Sequence, residues 1–196
     1  MTRRILMVFA ILILVAAALG TYAYYLRRRV TREEQRLAQQ PQEFAPPASG
    51  PPTLVTFYIA SDASGSLRKE NENVSLPPER SQRAQTVLRA LFTKYSQNPS
   101  SHSIGAGADV REVFIMGEDT AIVDTTAAFA DAHPSGVLVE ELTIASIVDT
   151  LNANDPQLNR VKILVDGKER DTLAGHADLR RFYRASGIGQ VMKEGR

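Results

Sequence analysis

The chain contains no cysteine. That one absence excludes disulfides, thiolate chemistry, cysteine-based zinc sites and a cysteine-linked lipid anchor. Net charge is nearly absent too: 23 Lys and Arg stand against 22 Asp and Glu, leaving +1 at neutral pH. So small a charge gives no basic field for nucleic acid, which is not expected as a partner. Histidine is scarce. His102, His133 and His176 are the three, and no two stand at i, i+4, so no helical metal pair exists. No G-x-S-x-G elbow is present. Gly105-Ala-Gly107 lacks the Lys-Ser/Thr and the preceding strand of a phosphate loop, and Asp62 with its neighbouring serines lacks the ligand spacing of a calcium loop. No cofactor is expected, and no catalytic grouping.

What is present begins with an uncharged run from Ile5 to Leu26, preceded by Arg3 and Arg4 and followed by Arg27, Arg28 and Arg29. As a helix it is long enough for the roughly 30 Å hydrocarbon core of a bilayer. Tyr22, Tyr24 and Tyr25 lie at its far end, where amphipathic rings favour the interface. Residues 1–30 are therefore expected to be a single-pass anchor. A cleaved signal peptide is the competing reading, with small residues at Ala18-Leu-Gly20. Orientation stays open at this point: the heavier basic flank is C-terminal, which favours a cytoplasmic domain, whereas a signal-anchor start favours the outside.

Residues 31–52 read as a linker: a charged, glutamine-rich part to about Gln40 that could extend the anchor helix by a few turns, then a proline-rich part (PQEFAPPASGPP) that is an extended, semi-rigid spacer. The folded part is expected over residues 53–183, with a tail at 184–196. Leu54–Ile59 is β-branched and aromatic and reads as a strand. Ser61–Ser66 is a turn by its Asp, Ser and Gly content. Asn73–Leu76 reads as a short edge strand. Ala84, Val87, Leu88, Leu91, Phe92 and Tyr95 recur at spacings of three and four and predict a helix over Ser81–Tyr95. Val110–Met116 and Thr120–Asp124 form a hairpin. A second helix runs over Val137–Asn152, with Glu140 and Glu141 in its first turns, where the helix dipole favours anions. Val161–Val165 is a strand, Asp166-Gly167 a hairpin turn, and Glu169–Thr172 its return strand. The order predicts an α+β fold: one mainly antiparallel sheet with two helices on one face.

His176, Asp178 and Asp166 form the densest chemical grouping. Read functionally, it is an acid–base site with a carboxylate orienting an imidazole. Read structurally, Gly175 supplies an unusual backbone angle, His176 bonds the main chain of a neighbouring turn, and Asp178 turns the chain. The second reading is favoured. Asp166, Gly167, Gly175, His176 and Asp178 are thus candidate binding or structural residues. His102 and His133 read as exposed loop residues, and Arg180–Arg184 as a solvated basic–aromatic segment that could stack on a sugar or base.

VTFYIASDASGSL, RAQTVLRALF, TAIVD (Thr120–Asp124), ELTIASIVDTL (Glu141–Leu151) and VKILVDGKERDTLAGHADL (Val161–Leu179) together resemble the GerMN domain of bacterial sporulation and spore germination proteins. The similarity covers Leu54–Asp178. It departs from the family pattern at Ile104-Gly105 and at Val123–Thr126, both in loop or edge positions. The resemblance implies a ring-building-motif type of α+β fold and a non-enzymatic domain outside the cytoplasm, tethered by its N-terminal helix to the inner membrane. It also implies assembly near the cell wall, with envelope proteins or further copies of the chain as partners and peptidoglycan as a further ligand. The alternative is a glycan-binding module or weak cell-wall hydrolase, whose carboxylates would be Asp124, Asp166 and Asp178.

Overall fold

The structure is a computed structural model that describes residues 50–97 and 99–185. The expected anchor, nearly all of the linker, and the tail after Ala185 lie outside the described residues. Among the described residues no helix is long and apolar enough to cross a membrane.

The element order is β1 (Pro52–Ser61), β2 (Ser66–Ser75), α1 (Arg80–Ser96), β3 (Val110–Met116), β4 (Thr120–Thr125), α2 (Ala127–Asp131), α3 (Val137–Asn154), β5 (Arg160–Val165) and β6 (Tyr183–Arg184). The class is α+β, but the strands form two sheets rather than the single sheet expected. β1 and β2 make an antiparallel ribbon, and β3-β4-β5-β6 make a four-stranded sheet. β4 and β5 run parallel, joined through α2 and α3, while the other neighbours are antiparallel. A parallel pair needs such a crossover. Two further expectations are corrected. β2 is ten residues long, not a four-residue edge piece. Glu169–Thr172 forms no return strand: the chain makes isolated bridges at Val165↔Lys168 and Thr172↔Asp178, and the antiparallel partner of β5 is the two-residue β6 further on.

α1 begins at Glu79, whose carboxylate accepts the N–H groups of Ser81 and Gln82, two donors that a helix start leaves without partners. Ala84, Val87, Leu88, Leu91, Phe92 and Tyr95 are buried along one stripe. α1 packs along β3, where Gln85 and Arg89 donate to the carbonyls of Arg111 and Val110.

α3 is different. Ten of its residues are buried, among them Glu140, Thr143, Ser146 and Thr150. These four, with Asn154, recur at spacings of three, three, four and four, so they share one helix face. That face lies along β1. Asn154 brackets Thr56, accepting its N–H at 3.0 Å and donating to its carbonyl at 2.7 Å. Thr150 Oγ1 accepts the Tyr58 N–H at 3.0 Å. Ser146 donates to the Tyr58 carbonyl at 2.5 Å. The Ala60 N–H donates to the Tyr95 hydroxyl at 2.8 Å, and Tyr95 donates in turn to Ser146 at 2.5 Å. Burial pushes the Tyr95 phenol up to about 12, with its bonds to Ala60 and Ser146 opposing, so it stays a neutral donor. Ser101 completes the row, its hydroxyl donating to the Ala60 carbonyl and its carbonyl accepting the Asp62 N–H. Side chains thus stand where a neighbouring strand would. This is why β1 does not join the larger sheet: its inner edge is already saturated.

Candidate functional site

The residues singled out from the sequence occupy two turns. Asp166 and Gly167 have φ of 51° and 70°, two successive left-handed residues. Val165 and Lys168 exchange backbone hydrogen bonds across them. This is the two-residue hairpin turn that Asp-Gly favours. It is fastened from below. Asp124, 6 % exposed on β4, accepts the Gly167 N–H at 2.7 Å, and the Asp166 N–H donates to the Thr125 carbonyl. Arg111 lies between the carboxylates of Asp124 and Asp166, at 3.4 Å and 2.8 Å.

The second turn wraps around Glu140. This side chain is fully buried. Its Oε2 accepts the N–H groups of Ala174, His176 and Ala177 at 3.0, 2.9 and 2.8 Å. Its Oε1 accepts the N–H of Gly136 at 3.1 Å and faces the His176 Nδ1 at 2.8 Å. Burial is the largest single influence and raises the carboxyl pKa. The bonds from Ala177, the His176 ring, Ala174 and the His176 N–H together outweigh it and hold the group at about 2. Gly175, at φ 119°, lets the chain turn back so that its neighbours aim their N–H groups at one carboxylate. The N–H groups of Ala174, His176 and Ala177 that serve Glu140 are thereby not free for a ladder.

His176 bonds this carboxylate, not the main chain, and its ring is 43 % exposed. Asp178 accepts from the backbone and guanidinium of Arg180, its side chain having no contact with His176, and Arg180 holds its carboxyl below the usual range. His176, Asp166 and Asp178 therefore have three different partners, and the acid–base grouping does not assemble. Of the basic–aromatic segment, Phe182 lies under Arg160 at 4.6 Å, Arg181 lies over Tyr183, and Tyr183 donates to the Asp178 carbonyl. Glu140, which holds the turn, was visible from the sequence only as a dipole-favoured glutamate. Its place in the series Glu140, Thr143, Ser146, Thr150, Asn154 is the signal that could have found it.

His102 and His133 correct another expectation. They are 1 % and 6 % exposed, not loop residues in water. His102 Nδ1 meets Asp62 at 2.5 Å and its Nε2 meets Thr143 Oγ1 at 2.6 Å. An Asp–His–Thr row in that order has the connectivity of a hydrolytic triad. Thr143 is 1 % exposed, so its hydroxyl is closed to any substrate in this structure.

Two surface features remain. A pocket of about 290 Å³ lies between α1 and the end of α3, with Val87, Leu151 and Leu158 among its lining. At its rim Arg80 forms a two-point pair with Asp155. The other feature is the outer edge of β2. Thr56, Tyr58 and Ala60 turn their peptide groups towards α3 and α1, so Val55, Phe57 and Ile59 turn theirs towards β2. The register sets Glu72, Glu70 and Arg68 opposite those three. The peptide groups of Leu67, Lys69, Asn71 and Asn73 therefore point outward, and no other element among the described residues bonds them. Charged side chains line this strand. Arg68, Glu70 and Glu72 are tied up with one another and with Lys94, whereas Lys69 has no ion pair among the described residues.

A family model described as Germane, sporulation and spore germination, matches residues 56–171. Three solved structures are similar to the chain. A candidate lipoprotein from Clostridium perfringens shares 20% identity over 72% of this chain and 92% of its own, with a TM-score of 0.49. The first GerMN domain of the sporulation protein GerM from Bacillus subtilis shares 18%, over 65% of this chain and 92% of that one, at 0.48. The tandem GerMN domains of the same protein share 16%, over 66% of this chain and 44% of that one, at 0.47. No curated protein matches.

Proposed function

Because this chain belongs to the Germane family of sporulation and spore germination domains, we propose that it is a non-enzymatic protein-binding module of the cell envelope, docking partners by strand addition to β2. The family is not known for catalysis. The observation that carries the reading is the contrast between the edges of the β1–β2 ribbon: β1 is closed by side chains of α3, α1 and Ser101, while β2 presents outward peptide groups at Leu67, Lys69, Asn71 and Asn73. An extended segment placed there gains main-chain hydrogen bonds along its length. The charges on β2 restrain indiscriminate pairing. The partner is an envelope protein or a second copy of the chain. The run Ile5–Leu26 supports a single inner-membrane anchor, and the proline-rich stretch supports a spacer that holds the domain off the extracytoplasmic surface.

The test is site-specific photo-cross-linking of the full chain in cells, with the photoreactive residue at Asn71 or, as a control, at Gln82 on the exposed face of α1. Defined envelope proteins or the chain itself captured from position 71 and not from 82 is the expected result. Equal capture at both positions, or none at 71, removes the β2 edge as the docking surface.

A further inference from the structure

His102 and His133 are buried, and both nitrogens of each ring have a hydrogen-bond partner. Each ring commits its Nδ1 to an oxygen acceptor: His102 to Asp62 at 2.5 Å, His133 to the Pro134 carbonyl at 2.8 Å. A carbonyl only accepts, so His133 Nδ1 carries a hydrogen. With Asp62 Oδ1 as the acceptor of the other bond, His102 Nδ1 carries one too. Both Nε2 atoms then converge on one hydroxyl, Thr143 Oγ1, at 2.6 Å and 2.7 Å. That hydroxyl has a single hydrogen, and a third acceptor, the Val139 carbonyl, lies 3.1 Å away.

The hydrogens can be counted. Two neutral rings protonated at Nδ1 would turn two lone pairs on Oγ1. The hydroxyl hydrogen satisfies one, and the other contact is lone pair against lone pair at hydrogen-bond distance. A single added proton removes the conflict. With it on His102 Nε2, that N–H donates to Thr143 Oγ1, and the Thr143 O–H donates to His133 Nε2. The Asp62 carboxylate beside His102 balances the charge. Burial lowers the His133 pKa, with the Pro134 bond opposing, so His133 is the neutral ring. The other titratable groups facing the cluster are Tyr95, whose ring stands edge-on to His102 at 5.0 Å, and Glu140, one turn before Thr143 on α3.

We propose that Asp62, His102, Thr143 and His133 form a buried proton-binding site, holding one proton beyond two neutral imidazoles and a carboxylate, and that this proton ties the tip of the β1–β2 ribbon to α3. Four segments meet through it: the ribbon tip at Asp62, the loop carrying His102, the loop carrying His133, and α3 at Thr143. The two histidine loops also touch directly. Gly105 lies so close to Ala132 that an added Cβ would come within 2.4 Å of the Ala132 carbonyl oxygen. Removing the proton leaves one bond of the row unmade and loosens the tip first, because Asp62 sits at the exposed end. The site is independent of what docks on β2.

Nitrogen-15 imidazole spectra of the full chain in detergent, followed through a pH titration, test it, with His176→Ala and His133→Gln variants to assign the rings. The expected result is a His102 ring with both nitrogens protonated and a His133 ring with one hydrogen, on Nδ1. Raising the pH should remove one proton from the cluster and speed exchange of the Asp62 amide roughly tenfold, the factor that one hydrogen bond carries, with the four-stranded sheet unaffected. Asp62→Asn keeps an acceptor for Nδ1–H but removes the charge, so the doubly protonated ring should disappear at a pH where the parent shows it. Two singly protonated rings with the loops still ordered would overturn the proposal. So would a doubly protonated His102 that survives Asp62→Asn.

Discussion

α1 and α3 are of nearly equal length and are held in opposite ways. α1 buries an apolar stripe and carries its polar contacts at the margins of that stripe, where Gln85 and Arg89 reach β3 and Lys94 reaches β2. α3 buries an apolar stripe and, beside it, a polar one whose members each bond another segment. Glu140 gathers the C-terminal turn, Thr143 the two histidine loops, and Ser146, Thr150 and Asn154 the edge of β1. The apolar contact that dominates α1 is non-directional and by itself specifies neighbours loosely. Hydrogen bonds are directional, and a buried polar group that loses its partner is destabilising. The polar stripe therefore sets register: it decides which residues of β1 face α3 and so which peptide groups of β2 face outward.

Four substitutions and one change of pH sharpen or break that contrast. The largest effect is expected from Glu140→Ala. Four backbone N–H groups and the His176 ring lose their shared, fully buried acceptor, and stability should fall by about 3–5 kcal/mol in denaturant titration. Leu91→Ala on α1 should fall in the range of about 2–5 kcal/mol for a core leucine. A loss below roughly 1 kcal/mol for Glu140→Ala would mean that the polar stripe is incidental.

Acid tests the same carboxylate without mutation. Its folded pKa of about 2 lies below the ordinary 4.5. A depressed carboxylate contributes stability that is present above its unfolded value and is lost as pH falls through the folded one. About 3 kcal/mol should disappear between pH 4.5 and 2. A stability curve flat across that window, with Glu140→Ala equally flat, would contradict the assignment.

Asp149 is the counter-example on α3: a half-buried carboxyl that makes no hydrogen bond or ion pair among the described residues. Burial alone raises its pKa from 3.8 to about 6. The sign is opposite to that of Glu140. The charged form is disfavoured in the fold, so stability present below pH 3.8 is lost as pH rises through about 6. Asp149→Asn should stabilise the protein by about 1–3 kcal/mol at pH 8 and leave it unchanged at pH 3. A destabilised variant at pH 8 would reveal a partner for this group.

The smallest effect is expected at His176. Its backbone N–H keeps Glu140 whatever the side chain, and the ring is 43 % exposed. His176→Ala should cost about 0.5–1.5 kcal/mol in the same titration. A larger loss would show that the ring, not the backbone, closes the turn.

These differences also mark what could be read in the sequence. The apolar spacing of Ala84 to Tyr95 disclosed α1 within a residue or two of its ends, and Asp166-Gly167 disclosed a left-handed turn. Both signals are local. The single-sheet expectation failed because nothing local says that Ser146, Thr150 and Asn154 take the place of a strand. The apolar positions Leu142, Ala145, Val148 and Leu151 overshadowed that second stripe. His102 and His133 look solvated in their Ser-, Gly- and Pro-rich surroundings. Their burial depends on Asp62 and Thr143, each about forty residues from His102. Glu169–Thr172 has the pattern of a return strand, but only Lys168 and Thr172 make isolated bridges there, and the chain next turns around Glu140.

Amide hydrogen exchange of the native full chain, resolved by residue, tests the central claim most directly. With α3 closing β1 and leaving β2 open, the amides of Thr56, Tyr58 and Ala60 should be protected as if in a ladder. Those of Leu67, Lys69, Asn71 and Asn73 should exchange rapidly. Rapid exchange at Thr56 and Tyr58, matching that of Lys69, would contradict the account, since the polar face of α3 would then hold no edge and β2 would have no special claim as the docking strand.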